Sequence, residues 1–110
     1  MHTTDDTNDI GHDFRIDMVT RRAGSGGRWV RGRISGHRFD ALVFPEHAEC
    51  PEYELADSRI SKLWIYRTGK EHGQTVFNWD RGADVPACDA TAQAIVDFLA
   101  GGLADLVYTR

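Results

Sequence analysis

Arg28-Trp-Val-Arg-Gly-Arg-Ile-Ser-Gly-His-Arg-Phe-Asp-Ala-Leu-Val-Phe44 is the stretch on which the fold turns. Its first half alternates. Val30 and Ile34 fall on one face with Gly32 between them, and Trp29, Arg31 and Arg33 fall on the other. A period of two is the pattern of a half-buried strand. Gly36 supplies a tight turn, and His37 to Phe44 runs back as the second arm of a hairpin. On that arm Phe39, Ala41 and Val43 share a face, with Leu42 and Phe44 opposite. A strand apolar on both sides belongs in the middle of a sheet.

Working outward, Phe14 to Thr20 alternates as well, with Phe14, Ile16 and Met18 expected on the apolar face. The Gly-rich turn Arg21 to Gly27 joins it to the central hairpin. Downstream, Arg59 to Arg67 sets Leu63 and Ile65 against Trp64 and Tyr66, and Thr75 to Asp80 puts Phe77 and Trp79 on one face. Arg81 to Ala87 reads as a loop. Asp89 then caps a helix whose stripe is Ala92, Ile95, Val96, Leu99 and Leu103. Gly101-Gly102 is expected to stop that helix, which leaves 103–110 open between a short helix and a strand. The expectation is an α+β fold in which a meander of about five antiparallel strands is packed by one C-terminal amphipathic helix. Residues 13–110 form the single domain, and 1–12 are expected to be a disordered acidic arm.

The 110 residues, 41% hydrophobic and 27% charged, suffice for one domain with a real core. No run of about 18 uninterrupted apolar residues is present, so no membrane span is expected. The polar, acidic beginning lacks the pattern of a secretory signal. A cytoplasmic location, with Cys50 and Cys88 as free thiols, is the expectation.

Charge is sorted along the chain. Residues 1–14 carry four Asp, and 15–38 carry seven Arg against Asp17 alone. Residues 39–110 hold twelve acids and six bases, and the net charge is −4. Catalytic patterns are weak by comparison. His47-Ala-Glu-Cys50 has the spacing of half a zinc site, but no second pair completes it, so no metal or cofactor is expected. No G-x-S-x-G or S-x-x-K occurs, and the carboxylates around Cys50 would raise its thiol pKa. Gly24 to Gly27 joins two strands, whereas a phosphate-binding loop leads from a strand into a helix. An enzyme is therefore not expected.

Two binding signals remain. Pro45 to Ser58 is long for a structureless connection, and it gathers Glu46, Glu49, Glu52, Glu54 and Asp57 around Tyr53 and Leu55. Such a patch suits a protein partner with a basic surface, with Tyr53 as anchor. This is the expected functional surface. The alternative is a nucleic-acid-binding face built from Arg28, Trp29, Arg31 and Arg33, a stacking ring with phosphate partners. The net negative charge opposes that alternative at long range. An exposed edge strand would permit either a monomer or a homodimer.

The stretches Gly32 to Phe44 (GRISGHRFDALVF), Arg59 to Ile65 (RISKLWI) and Phe77 to Gly82 (FNWDRG) resemble an uncharacterised family of small phage and prophage proteins. The resemblance spans roughly residues 28–100 and brings no activity with it. It implies a mobile-element origin. By analogy of class it points to a non-enzymatic inhibitor such as an anti-CRISPR protein, engaging a basic surface of a CRISPR effector subunit.

Overall fold

The computed structural model describes residues 11–21, 26–56, 58–67 and 74–108. Strands β1 (Arg15–Arg21), β2 (Arg28–Ile34), β3 (His37–Val43), β4 (Ile60–Arg67), β5 (Gln74–Asp80) and β6 (Ala83–Val85) precede helix α1 (Ala90–Tyr108). The strands form one sheet in chain order, each antiparallel to the next. The α+β meander expected from the sequence is present, with a sixth strand of three residues inside the stretch read as a loop. Residues 1–10 of the expected acidic arm lie outside the described residues.

Ile34 pairs with His37, so the central hairpin turns on Ser35 and Gly36 alone. Both have positive φ, 52° and 75°, the geometry that matches the twist of the two arms. The Asp13 carboxylate accepts both turn amides, at 2.6 Å from Ser35 and 3.2 Å from Gly36. Those bonds, the one from Ser35 foremost, hold the Asp13 carboxyl below its ordinary range. Gly32 is required by crowding. A Cβ there would lie 2.3 Å from the Arg15 carbonyl oxygen and 2.8 Å from the Phe39 ring.

β1 departs from its expected alternation. A bulge between Ile16 and Met18 moves the apolar side by one residue. Ile16 and Val19 therefore pair with Gly32 and Val30 on the core side, and Met18 pairs with Arg31 on the opposite side, 54% exposed. The expected grouping of Met18 with Phe14 and Ile16 is corrected accordingly.

α1 covers one face of the sheet. Val30, Ile34, Phe39, Ala41, Val43, Leu63 and Ile65 pack with Ala92, Ile95, Val96, Leu99, Leu103, Ala104 and Val107. Asp89 caps the helix, accepting the Ala92 amide at 2.8 Å. The expected stop at Gly101-Gly102 does not occur. Two helical glycines cost roughly 1 kcal/mol each. Burial of Leu103, Ala104 and Val107 beyond them returns more. Residues 103–108 are therefore helical, which settles the choice left open by periodicity. By length and hydropathy alone α1 matches a membrane span, with only Asp97 and Asp105 charged, but its buried stripe faces the sheet.

The end of α1 is clasped to the central hairpin. The Arg28 guanidinium donates to the Val107 carbonyl at 3.1 Å and lies 4.7 Å from the centre of the Tyr108 ring. The Tyr108 hydroxyl sits 2.7 Å from the Val43 carbonyl and 2.8 Å from that of Gly26, and shares its one proton between them. Burial raises the Tyr108 pKa.

Candidate functional site

The helix covers one side of the sheet and leaves the other open. The strand register lays the open side out as three rows. One runs Thr20, Trp29, Leu42, Lys62, Asp80. The next runs Met18, Arg31, Asp40, Trp64, Asn78, Val85. The third runs Arg15, Arg33, Arg38, Tyr66, Thr75. Trp29 and Trp64 stay 38% and 40% exposed, too much for tryptophans that merely fill a core. They stand two strands and two residues apart, about 12 Å by strand geometry. The Trp64 ring stacks on Tyr66, with centroids 4.2 Å apart, and its indole N–H donates to the Thr75 hydroxyl at 2.9 Å. That bond fixes the ring's orientation.

Several cations of this face are paired. Arg31 donates to Asp40 at 3.0 Å, Arg33 holds Asp17 through two bonds of 3.1 and 3.3 Å, and Lys62 lies 3.6 Å from Asp80. The Arg33 bond is the main reason the Asp17 carboxyl sits below its ordinary range, and nearby Arg15 and Arg38 add to it. Arg15 and Arg38 themselves make no hydrogen bond or close ion pair with the described residues. Among the described residues these two guanidinium groups lack such partners, and they share a row with Tyr66.

Three depressions follow one another over this face. A cleft of about 400 Å³ lies between Met18, Thr20, Trp29 and Arg31. It meets one of about 240 Å³ lined by Trp29, Asp40, Lys62, Trp64 and Asp80. Lys62 is then shared with a cleft of about 630 Å³ beneath the loop that follows β3. The first two, which share Trp29 and Asp40, make a groove across the sheet from the β1 edge to Lys62, and the third cleft lies beyond Lys62.

The loop is built around one carboxylate. Glu54 is buried, its Oε1 accepting the Ala48 amide at 2.7 Å. Its Oε2 accepts the Arg59 amide at 3.0 Å and meets His47 Nδ1 at 2.7 Å. Burial alone would raise the Glu54 pKa, but the bonds from Ala48, His47 and Arg59 outweigh it and the net direction is down. Arg59 ties the loop's base to the Pro45 carbonyl and to Asp105 on α1. The folded loop leaves Leu42, on the open face, only 2% exposed.

The sequence-derived site residues divide under this geometry. Glu46, Glu49 and Glu52 are exposed and unpaired among the described residues, and Tyr53 is 48% exposed beside them. Glu54 is spent inside the loop, Leu55 is in the core, and Asp57 lies outside the described residues. In the alternative set, Trp29, Arg31 and Arg33 do share the open face, whereas Arg28 points to the other side and caps α1. Trp64, Tyr66, Arg15 and Arg38 complete that face and were missed as site residues. The alternation of β4 already put Trp64 and Tyr66 opposite Leu63, but only the strand order brings them beside Trp29. Among the described residues, no three His, Cys, Asp or Glu side chains gather to hold a metal, and Cys50 and Cys88 are free and exposed.

Residues 28–104 match the family described as Domain of unknown function (DUF7678). The chain belongs to that family. The DUF7678 span starts at β2 and ends within α1, so it takes in the loop and most of the open face but not β1. No curated protein and no solved structure matches the chain.

Proposed function

We propose that the chain is a non-enzymatic binding module that holds single-stranded nucleic acid along the open face of its sheet. The observation that carries the reading is the groove with Trp29 and Trp64 exposed in it, and beside it Arg15 and Arg38, which make no hydrogen bond or close ion pair among the described residues. Aromatic rings take bases by stacking at about 1–3 kcal/mol per base, with little regard to sequence. Free guanidinium groups supply phosphate contacts. A duplex presents no open base faces, so single strands should be preferred.

A gel-shift titration with a labelled oligonucleotide tests this. Two phosphate contacts give a log–log salt slope of about −1.4, a loss of roughly sevenfold between 50 and 200 mM salt. Trp29→Ala and Trp64→Ala should each weaken binding about five-fold or more without unfolding the sheet. Absence of binding at low salt refutes the reading.

A second reading keeps one specific observation: Glu46, Glu49, Glu52 and Tyr53 stand exposed together on a loop whose shape is fixed from inside by Glu54. In that reading the module is an inhibitor of mobile-element origin, docking through the loop on a basic protein surface such as a CRISPR effector subunit in the cytoplasm of a bacterial host. Reversing those three glutamates to lysine separates the two readings. It abolishes capture of the effector in the second, and leaves or strengthens strand binding in the first.

A further inference from the structure

The cleft beneath the Pro45–Glu54 loop has its own chemistry. Its volume of about 630 Å³ is in the range of small-ligand sites. Phe44 and Tyr53 give it an aromatic lining and Lys62 and Arg81 give it positive charge, while Leu42 lines it too but is nearly buried. Two of its charged groups are already engaged. Glu54 serves the loop amides, and the Arg59 guanidinium serves Pro45 and Asp105.

Three charged groups are not fully engaged. The Arg81 guanidinium has no hydrogen-bond or ion-pair partner among the described residues, and neither has the Glu46 carboxylate. Lys62 has only its 3.6 Å contact with Asp80. Arg81 is also held in a costly backbone shape, with φ 59°. Its amide donates to the Ser61 carbonyl at 3.1 Å, which anchors this turn to β4 at the edge of the cleft. Two of the stretches that carry the family resemblance, 59–65 and 77–82, meet here through Arg59, Ser61, Lys62 and Arg81.

We propose that this cleft binds a small anion carrying a flat ring, of the chemical class of a nucleoside monophosphate. The anionic end lies between Arg81 and Lys62, the ring packs on Tyr53 and Phe44, and a ring amine donates to Glu46. A bare anion gains little here, because Glu46 and Glu54 make the loop wall negative. A neutral ring leaves Arg81 without a partner. The site shares only Lys62 with the neighbouring depression and stands whether or not a strand occupies the groove.

Isothermal titration of the full chain with adenosine 5′-monophosphate, adenosine and inorganic phosphate tests the proposal. The monophosphate should bind about tenfold or more tighter than either fragment, the increment of a charge-assisted contact. Arg81→Gly suits the positive φ and removes only the side chain, so its thermal midpoint should not fall. It should bring the monophosphate down to the level of adenosine, and Tyr53→Ala should weaken both. Trp29→Ala should leave all three unchanged, which separates this cleft from the groove. A monophosphate no tighter than adenosine or phosphate, or an Arg81→Gly variant with unaltered affinity, overturns the proposal.

Discussion

Replacing Glu54 by Gln removes one oxygen's capacity to accept and changes little else in shape. In the wild type, Oε1 takes the Ala48 amide and Oε2 takes the Arg59 amide and His47. In Glu54→Gln one of those backbone amides faces an NH₂ group that cannot accept from it. A buried donor left without a partner costs about 1–3 kcal/mol, and the bond that survives loses its charge assistance, for a total of about 2–4 kcal/mol. A domain of this size has about 5–10 kcal/mol in all. The midpoint should fall by roughly 8–16 °C, at about 4 °C per kcal/mol.

The deficit should also depend on pH. The Glu54 carboxyl is held below its ordinary value, so its stabilising contribution is present above the unfolded-state pKa of about 4.3 and is lost as pH falls through the lower folded-state value. The Gln variant does not titrate there. Thermal unfolding followed by circular dichroism should show a full gap between the two proteins at pH 7, narrowing only below about pH 4. Equal midpoints at pH 7, or a gap of the same size at pH 3, would refute the account of the loop as a structure assembled on one ionised carboxylate.

Two other substitutions probe the fold. Gly101→Ala and Gly102→Ala add a Cβ that meets nothing within 4 Å, so each should raise stability by about 0.5–1 kcal/mol in urea denaturation. A helix that stopped at these glycines would instead be unaffected or destabilised. Gly32→Ala should cost about 1–3 kcal/mol or more by the same measurement, because the added carbon meets the Arg15 backbone and the Phe39 ring.

Local pattern was enough for much of this molecule. Alternation placed Val30 and Ile34 against Trp29 and Arg31, and it gave the faces of β3 and β4, because each burial choice there repeats every second residue. It failed where a backbone irregularity changed the count. The bulge between Ile16 and Met18 leaves no mark in composition, since both neighbours are apolar. It failed again at Gly101-Gly102, where burial of Leu103 and Val107 overrides the local cost of glycine. The site was harder to read for a different reason. Whether a carboxylate is free or engaged depends on partners far along the chain. Glu54 looked like Glu52 in sequence, yet one is buried and triply bonded and the other faces water. Likewise Arg28 looked like Arg31 until Val107, nearly the length of the chain away, was found to accept from it.

The order of the strands has a bearing on how the protein is born. Each strand pairs with the one made just before it, so hairpins can close one after another as synthesis proceeds, with little loop entropy to overcome. The covering helix is made after all six strands. Until it arrives, Phe39, Leu63 and Ile65 form a bare oily surface on a nearly finished sheet, and the nascent chain is most prone to clumping in that interval. The Arg28–Tyr108 clasp closes only when the helix docks, and so marks the moment at which that hazard ends.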